Sequence, residues 1–189
     1  MPNSAPLNQI YLDYNATTPC DPRVVEAMLP FFTTAFGNAA SHSHAYGWHA
    51  REAVQIAREK VAAAIAATER ELIFTSGATE SVNLAIKGVW ENYSRKGNHI
   101  ITTAVEHHAV LDTCAWIEKR GGEVTYLPVN DRGRIDPEAV RAAIRPTTIL
   151  LAVMHANNET GTLMPINDLG KIAKRKRCHF LLRCIAVGR

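Results

Sequence analysis

The run Thr148–Met154 constrains this chain more than any other segment. Its interior carries no charge and no alternation, so it cannot be a strand with one wet face. A continuous apolar run of this length, bounded by Pro146 before it and Asn157-Asn158 after it, reads as a strand covered on both sides. Helical patterns flank it at Glu138–Ile144 and Ile166–Lys176, the first opened by Asp136 as N-cap and Pro137 at the first helical position.

The same alternation extends upstream. Pro22 opens a helical pattern through Val24, Val25, Met28, Leu29 and Phe32. A loop from Gly37 to Gly47 follows, then a second helix from about Trp48 to Ala67. Leu72–Phe74 is expected as a short buried strand, and Ser76–Glu80 turns into a helix reaching about Tyr93. His99–Thr103 is a strand candidate, Val110–Lys119 a helix ended by Gly121-Gly122, Glu123–Leu127 a strand, and His179–Leu182 the start of another. Strands alternating with helices predict an α/β fold with a mainly parallel sheet flanked by helices. In such sheets ligands bind beyond the carboxyl ends of the strands. The chemistry is therefore expected in the loops after Phe74, Thr103 and Met154.

Those loops hold the unusual polar residues. Ser76-Gly77-Ala78-Thr79 pairs a glycine with the free N–H groups of a helix start, which suits a phosphate. An ordinary helix cap has the same composition. Glu106-His107-His108 puts an imidazole where it can face an aromatic ligand or carry a proton; a surface histidine is the plainer alternative. Asn157-Asn158 can aim amide donors into a site or bond their own backbone in a turn.

Bulk properties remove other function classes. The net charge is +3 and charged residues make up 21%. The basic residues Lys171, Lys174, Arg175, Lys176 and Arg177 lack interleaved aromatics, so they read as a solvated helix face, with no direct nucleic-acid contact expected. No apolar stretch approaches the roughly 20 residues that cross a bilayer, and the start of the chain lacks the pattern of a signal peptide. A cytoplasmic location with no membrane contact is expected. The cysteines Cys20, Cys114, Cys178 and Cys184 fit no zinc spacing. Cys114 is expected as a buried thiol, and disulfides are not expected.

Three segments read together resemble the NifS/IscS branch of cysteine desulfurases, pyridoxal-phosphate (PLP) enzymes of the class V aminotransferase family. They are Leu12-Asp13-Tyr14-Asn15-Ala16-Thr17-Thr18-Pro19, Phe74–Ala85 and Met154–Gly161. Gly37-Asn38, Ser43-His44 and Glu106-His107 with Ala109-Val110-Leu111 also fit, and the resemblance runs from about Ile10 to Leu182. It implies the PLP-dependent aminotransferase fold type I, here incomplete. Residues 1–20 would contribute to a small domain and dimer contact, and 21–182 would form part of the large PLP-binding domain. It implies that Ala78 and Thr79 hold the PLP phosphate, that His107 stacks on the pyridine ring and helps move protons, and that Asn158 bonds the phenolic oxygen. It accounts for His44 without a metal, so His42, His44 and His49 are not expected to form a metal site. L-cysteine as substrate, a homodimer, and a sulfur acceptor or iron–sulfur scaffold protein as partner follow from the same resemblance. A related class V activity such as selenocysteine lyase remains an alternative.

The pattern breaks at one place. In the family, the strand after the Asn-Asn loop ends in Asp-Ala-x-Gln, whose aspartate pairs with the pyridine nitrogen. A Ser-x-His-Lys that supplies the Schiff-base lysine, and a loop with the catalytic cysteine, come later. This chain reads Arg183-Cys184-Ile185-Ala186-Val187-Gly188-Arg189 instead. Written as CGA TGC ATC GCA GTC GGT, that stretch becomes GAT GCA TCG CAG TCG GT on loss of its first base, which encodes Asp-Ala-Ser-Gln-Ser. Residues 183–189 are therefore expected to be an aberrant tail, from a frameshift or a truncation. Cys184 is then not the catalytic cysteine, and the chain as written is expected to be catalytically inactive.

Overall fold

A computed structural model describes residues 10–14 and 17–184. Asn15 and Ala16 of the first motif, and residues 185–189 of the tail, lie outside the described residues. The contacts divide the chain into two units, Met1–Phe74 and Thr75–Arg189.

The second unit is built on four parallel strands, β1 (His99–Thr103), β2 (Glu123–Leu127), β3 (Thr148–Met154) and β4 (His179–Arg183), in the order β2-β1-β3-β4. Helices α3 (Ala78–Tyr93), α4 (His108–Glu118), α5 (Pro137–Ala143) and α6 (Ile166–Lys176) alternate with them. Every residue of β1 and β3 is buried, whereas the edge strands β2 and β4 are only partly covered. The apolar run Thr148–Met154 is thus a central strand. Ile100, Leu150 and Ala152 pack with Val82 and Ile86 of α3 and Val110, Cys114 and Ile117 of α4. Ile101, Leu151 and Val153 pack on the other face with Val140 of α5 and Leu169 and Ile172 of α6. Each of the valine, leucine and isoleucine side chains contributes about 1.5–3 kcal/mol by leaving water.

Local chemistry sets the ends of these elements. The Asp136 carboxylate accepts from the Glu138 N–H at 2.9 Å and starts α5. Gly121, at φ +87°, turns the chain out of α4. His99 is fully buried at the start of β1, its ring nitrogens 2.7 Å from Thr148 Oγ1 and 2.9 Å from Thr125 Oγ1. Burial of the Cys114 thiol, expected from its helix pattern, pushes its pKa up to about 12 and makes it inert.

The first unit contains α1 (Pro22–Thr33), α2 (Ala45–Ala64) and a 3-10 turn at Glu69–Glu71. Two expectations fail here. The second helix begins at Ala45, not Trp48, because His44 Nδ1 accepts from the Gly47 N–H at 3.3 Å and caps the helix inside the expected loop. It stops at Ala64, just before Ala66 takes a positive φ of 54°. Leu72–Phe74 is not a strand: no ladder pairs with it, and Ile73 is 71% exposed. Instead Arg58 donates to the Leu72 carbonyl and lies 4.7 Å over the Phe74 ring. Three apolar residues suit many environments, and only a partner strand would have made them β.

Candidate active site at the sheet's carboxyl edge

Strand order locates the site before any residue is considered. From β1 the chain moves outward to β2, then returns to lay β3 on the other side of β1 and continues outward to β4. The connections after β1 and β3 therefore diverge, and the crevice between them is the place where open parallel sheets take ligands.

The β1 connection carries Glu106 and His107. Glu106 is buried, with 5% exposure. Its Oε1 accepts from the Met154 N–H at 2.6 Å and from the Thr103 hydroxyl at 3.4 Å, tying the ends of β1 and β3 together. Burial raises its pKa to about 6, against the lowering effect of the Met154 N–H, Arg183 and Thr103. His107 is the N-cap of α4, its Nδ1 accepting from the Ala109 N–H at 3.0 Å. In a neutral ring that fixes the proton on Nε2. The ring is exposed, with His108 edge-on at 6.3 Å between centroids.

The β3 connection carries the two asparagines, and they behave differently. Asn157 builds the turn: its Oδ1 accepts from Glu159 and Thr160 N–H at 2.9 and 3.0 Å, and its Nδ2 donates to the Val105 carbonyl at 3.3 Å. That last bond joins the two diverging connections. Asn158 is half-buried and donates only to its neighbour Glu159 Oε1, at 2.7 Å, so its amide is free to be redirected.

Helix α3 precedes β1 and runs back along the sheet, which brings its first turn to the same edge. Its Val82 packs in the cluster that holds Ala109 and Val110, the first turn of α4. Gly77 is its N-cap, and no side chain caps it. A Cβ at Gly77 would meet nothing within 4 Å. Ala78 and Thr79 are exposed there. Glu80 accepts from the Ser76 N–H and hydroxyl, both at 2.6 Å, and Thr75 Oγ1 lies 2.6 Å from Ser81 Oγ, which shape the loop from within. Those bonds hold Glu80 below the usual carboxylate range.

The structure thus brings Ala78, Thr79, His107 and Asn158 to one edge. The sequence alone gives no role for Glu106, and it leaves open whether Asn157 and Asn158 aim their amides into the site or make the turn. The available signal was an acid directly following an apolar strand, and a doubled asparagine in which one member had to make the turn.

A PLP molecule fits one end of this edge and not the other. The uncapped, glycine-opened start of α3 is free for a phosphate. At the end of β4 stands Arg183, 6% exposed, with Nε and Nη1 buried and unpartnered. A pyridinium nitrogen needs an anion, and here it would meet a cation.

The aminotransferase class-V family profile matches residues 10–183. The chain belongs to that family. Its relatives include the cysteine desulfurase IscS of Anaeromyxobacter sp. (strain K), 59% identical over 165 residues, 87% of this chain and 41% of the relative. The chain therefore spans less than half the length of the relative it matches. Among solved structures, a NifS-like protein superposes with a TM-score of 0.90 at 38% identity over 94% of this chain and 49% of its own. SspA in complex with cysteine gives 0.86 at 40% identity over 91% and 49%.

Among the described residues no group of three or more histidines, cysteines or acids is placed to hold a metal, and no helix is long and apolar enough to cross a membrane. His44 is used as a helix cap, and His42 faces Arg51.

Proposed function

We propose that this chain is the cofactor-cradle portion of a PLP-dependent cysteine desulfurase, which converts L-cysteine to L-alanine and leaves the sulfur as an enzyme-bound persulfide. One observation supports the reading: the open first turn of α3 lies at the same carboxyl edge of the sheet as His107 and the Asn157-Asn158 loop. The name of the IscS relative supports the same activity.

In this reading the Ala78 and Thr79 N–H groups and the Thr79 hydroxyl bind the phosphate. His107, its ring plane set by the bond to Ala109, covers one face of the cofactor ring and offers Nε2 for proton movement. Asn158 turns from Glu159 to donate to the phenolic oxygen. Glu106 holds β1 and β3 in register beneath them. When bound, PLP supplies an electron sink for chemistry at the amino acid's Cα. The protein would act as a cytoplasmic homodimer and pass sulfur to an acceptor such as an iron–sulfur scaffold protein. Residues 1–20 would serve the dimer contact and 21–182 the large domain.

A second reading, a chain without catalytic activity, is favoured by Arg183, which is buried with Nε and Nη1 unpartnered. The test separates the two. A protein with the reading frame restored at residue 183 should release alanine from L-cysteine when given PLP and a thiol reductant, while the chain as written releases none. No alanine from the restored protein refutes the desulfurase reading.

A further inference from the structure

Arg183 belongs to β4, opposite Met154 in the ladder, and its carbonyl accepts from the His155 N–H at 2.9 Å. Its backbone is therefore held in the ladder with β3. Its side chain is the anomaly. Nε and Nη1 have neither a partner nor access to water. The nearby acid does not answer them: Glu106 gives Oε1 to Met154, its Oε2 is buried and unpartnered, and among the described residues no ion pair joins it to Arg183. A guanidinium cannot escape by losing its proton, and a buried charge left without a partner is strongly unfavourable. Each group is pushed by burial toward its uncharged form, Arg183 down and Glu106 up.

Met154, opposite Arg183, is held by the residue that precedes His107, and the Asn157-Asn158 loop begins three residues beyond it. Arg183 thus stands on the same edge as the groups that would cover a cofactor ring. We propose that Arg183 is a charge-reversing misfit at this end of the cradle, which keeps the nitrogen of a bound pyridine ring unprotonated and so weakens PLP as an electron sink there. This rests on the PLP reading of the cradle. The physical reason is direct: a fixed cation beside a titrating nitrogen disfavours its protonated form, and an unprotonated ring withdraws electrons less well.

The test uses pyridoxamine 5′-phosphate, which needs no lysine, labelled with 15N in the ring and bound to the chain and to Arg183→Asp. The 31P signal reports occupancy of the cradle and the 15N shift reports ring protonation at pH 7. The expected result is the same 31P change in both proteins, with the nitrogen unprotonated beside Arg183 and protonated beside the aspartate. A protonated nitrogen in the unaltered chain, with the cradle occupied, overturns the inference and leaves the PLP reading standing. No 31P change in either protein overturns the PLP reading, and the inference with it. Thermal unfolding of Arg183→Leu gives an independent check. Removing an unanswered charge should raise the midpoint, and a lower midpoint shows that the guanidinium is satisfied and the misfit account wrong.

Discussion

The two halves of this chain use the same kinds of residue to opposite effect. In Thr75–Arg189 the apolar side chains close over both faces of a sheet, and β1 and β3 are buried throughout. In Met1–Phe74, α1 has no buried residue and α2 only Gly47 and Ala62, while Met28, Leu29, Phe31, Phe32, Trp48 and Ile56 stay exposed. A helix with an apolar stripe gains stability only when something covers the stripe. The difference teaches that composition does not make a core. A ladder of strands provides the surface on which one forms.

Truncation should expose that contrast most strongly. Leu151→Ala, at a fully buried position of β3, should cost about 2–5 kcal/mol in denaturant unfolding followed by circular dichroism. A loss under about 1 kcal/mol would mean that the sheet is not the source of stability.

Acidity provides the next largest effect, again in the second unit. Glu106 titrates near 6 in the fold, above its ordinary 4.5. Its contribution to stability is therefore fully present below pH 4.5 and is lost as pH rises through 6, about 2 kcal/mol in all. Glu106→Gln should flatten the stability curve across that window, and an unchanged slope would show that Glu106 is not the group responsible.

Removing the cap of α5 is a smaller perturbation. Asp136→Ala should cost about 1 kcal/mol by the same unfolding measurement. Phe32→Ser in α1 should move stability by less than about 0.5 kcal/mol, because Phe32 is already 73% exposed. A loss of several kcal/mol there would erase the comparison, since it would reveal a core in the first unit.

What was legible in the sequence follows the same division. β3 could be read because seven residues without charge leave a chain little choice, and α5 because Asp136-Pro137 states its own start. Leu72–Phe74 misled because its state depends on a partner strand that no local pattern records. His44 as a cap was hidden by the surrounding loop-forming residues. At the candidate site, the glycine at 77 and the histidine at 107 announced themselves by type and place. Glu106 did not, because its bond to Met154 joins residues far apart in sequence, and only strand order brings them together. The misfit at Arg183 was visible as a departure from a resemblance, but its burial beside Glu106 needed the fold.

The central claim is that the open start of α3 is a phosphate site, and comparing pyridoxamine 5′-phosphate with pyridoxamine tests it most directly. Equilibrium titration of each should show the phosphate ester binding at least about tenfold tighter, a difference of about 1.4 kcal/mol. Gly77→Val should abolish that preference; a Cβ at that position meets nothing in the fold. Equal affinity for the two compounds, or a preference that survives Gly77→Val, would contradict the account.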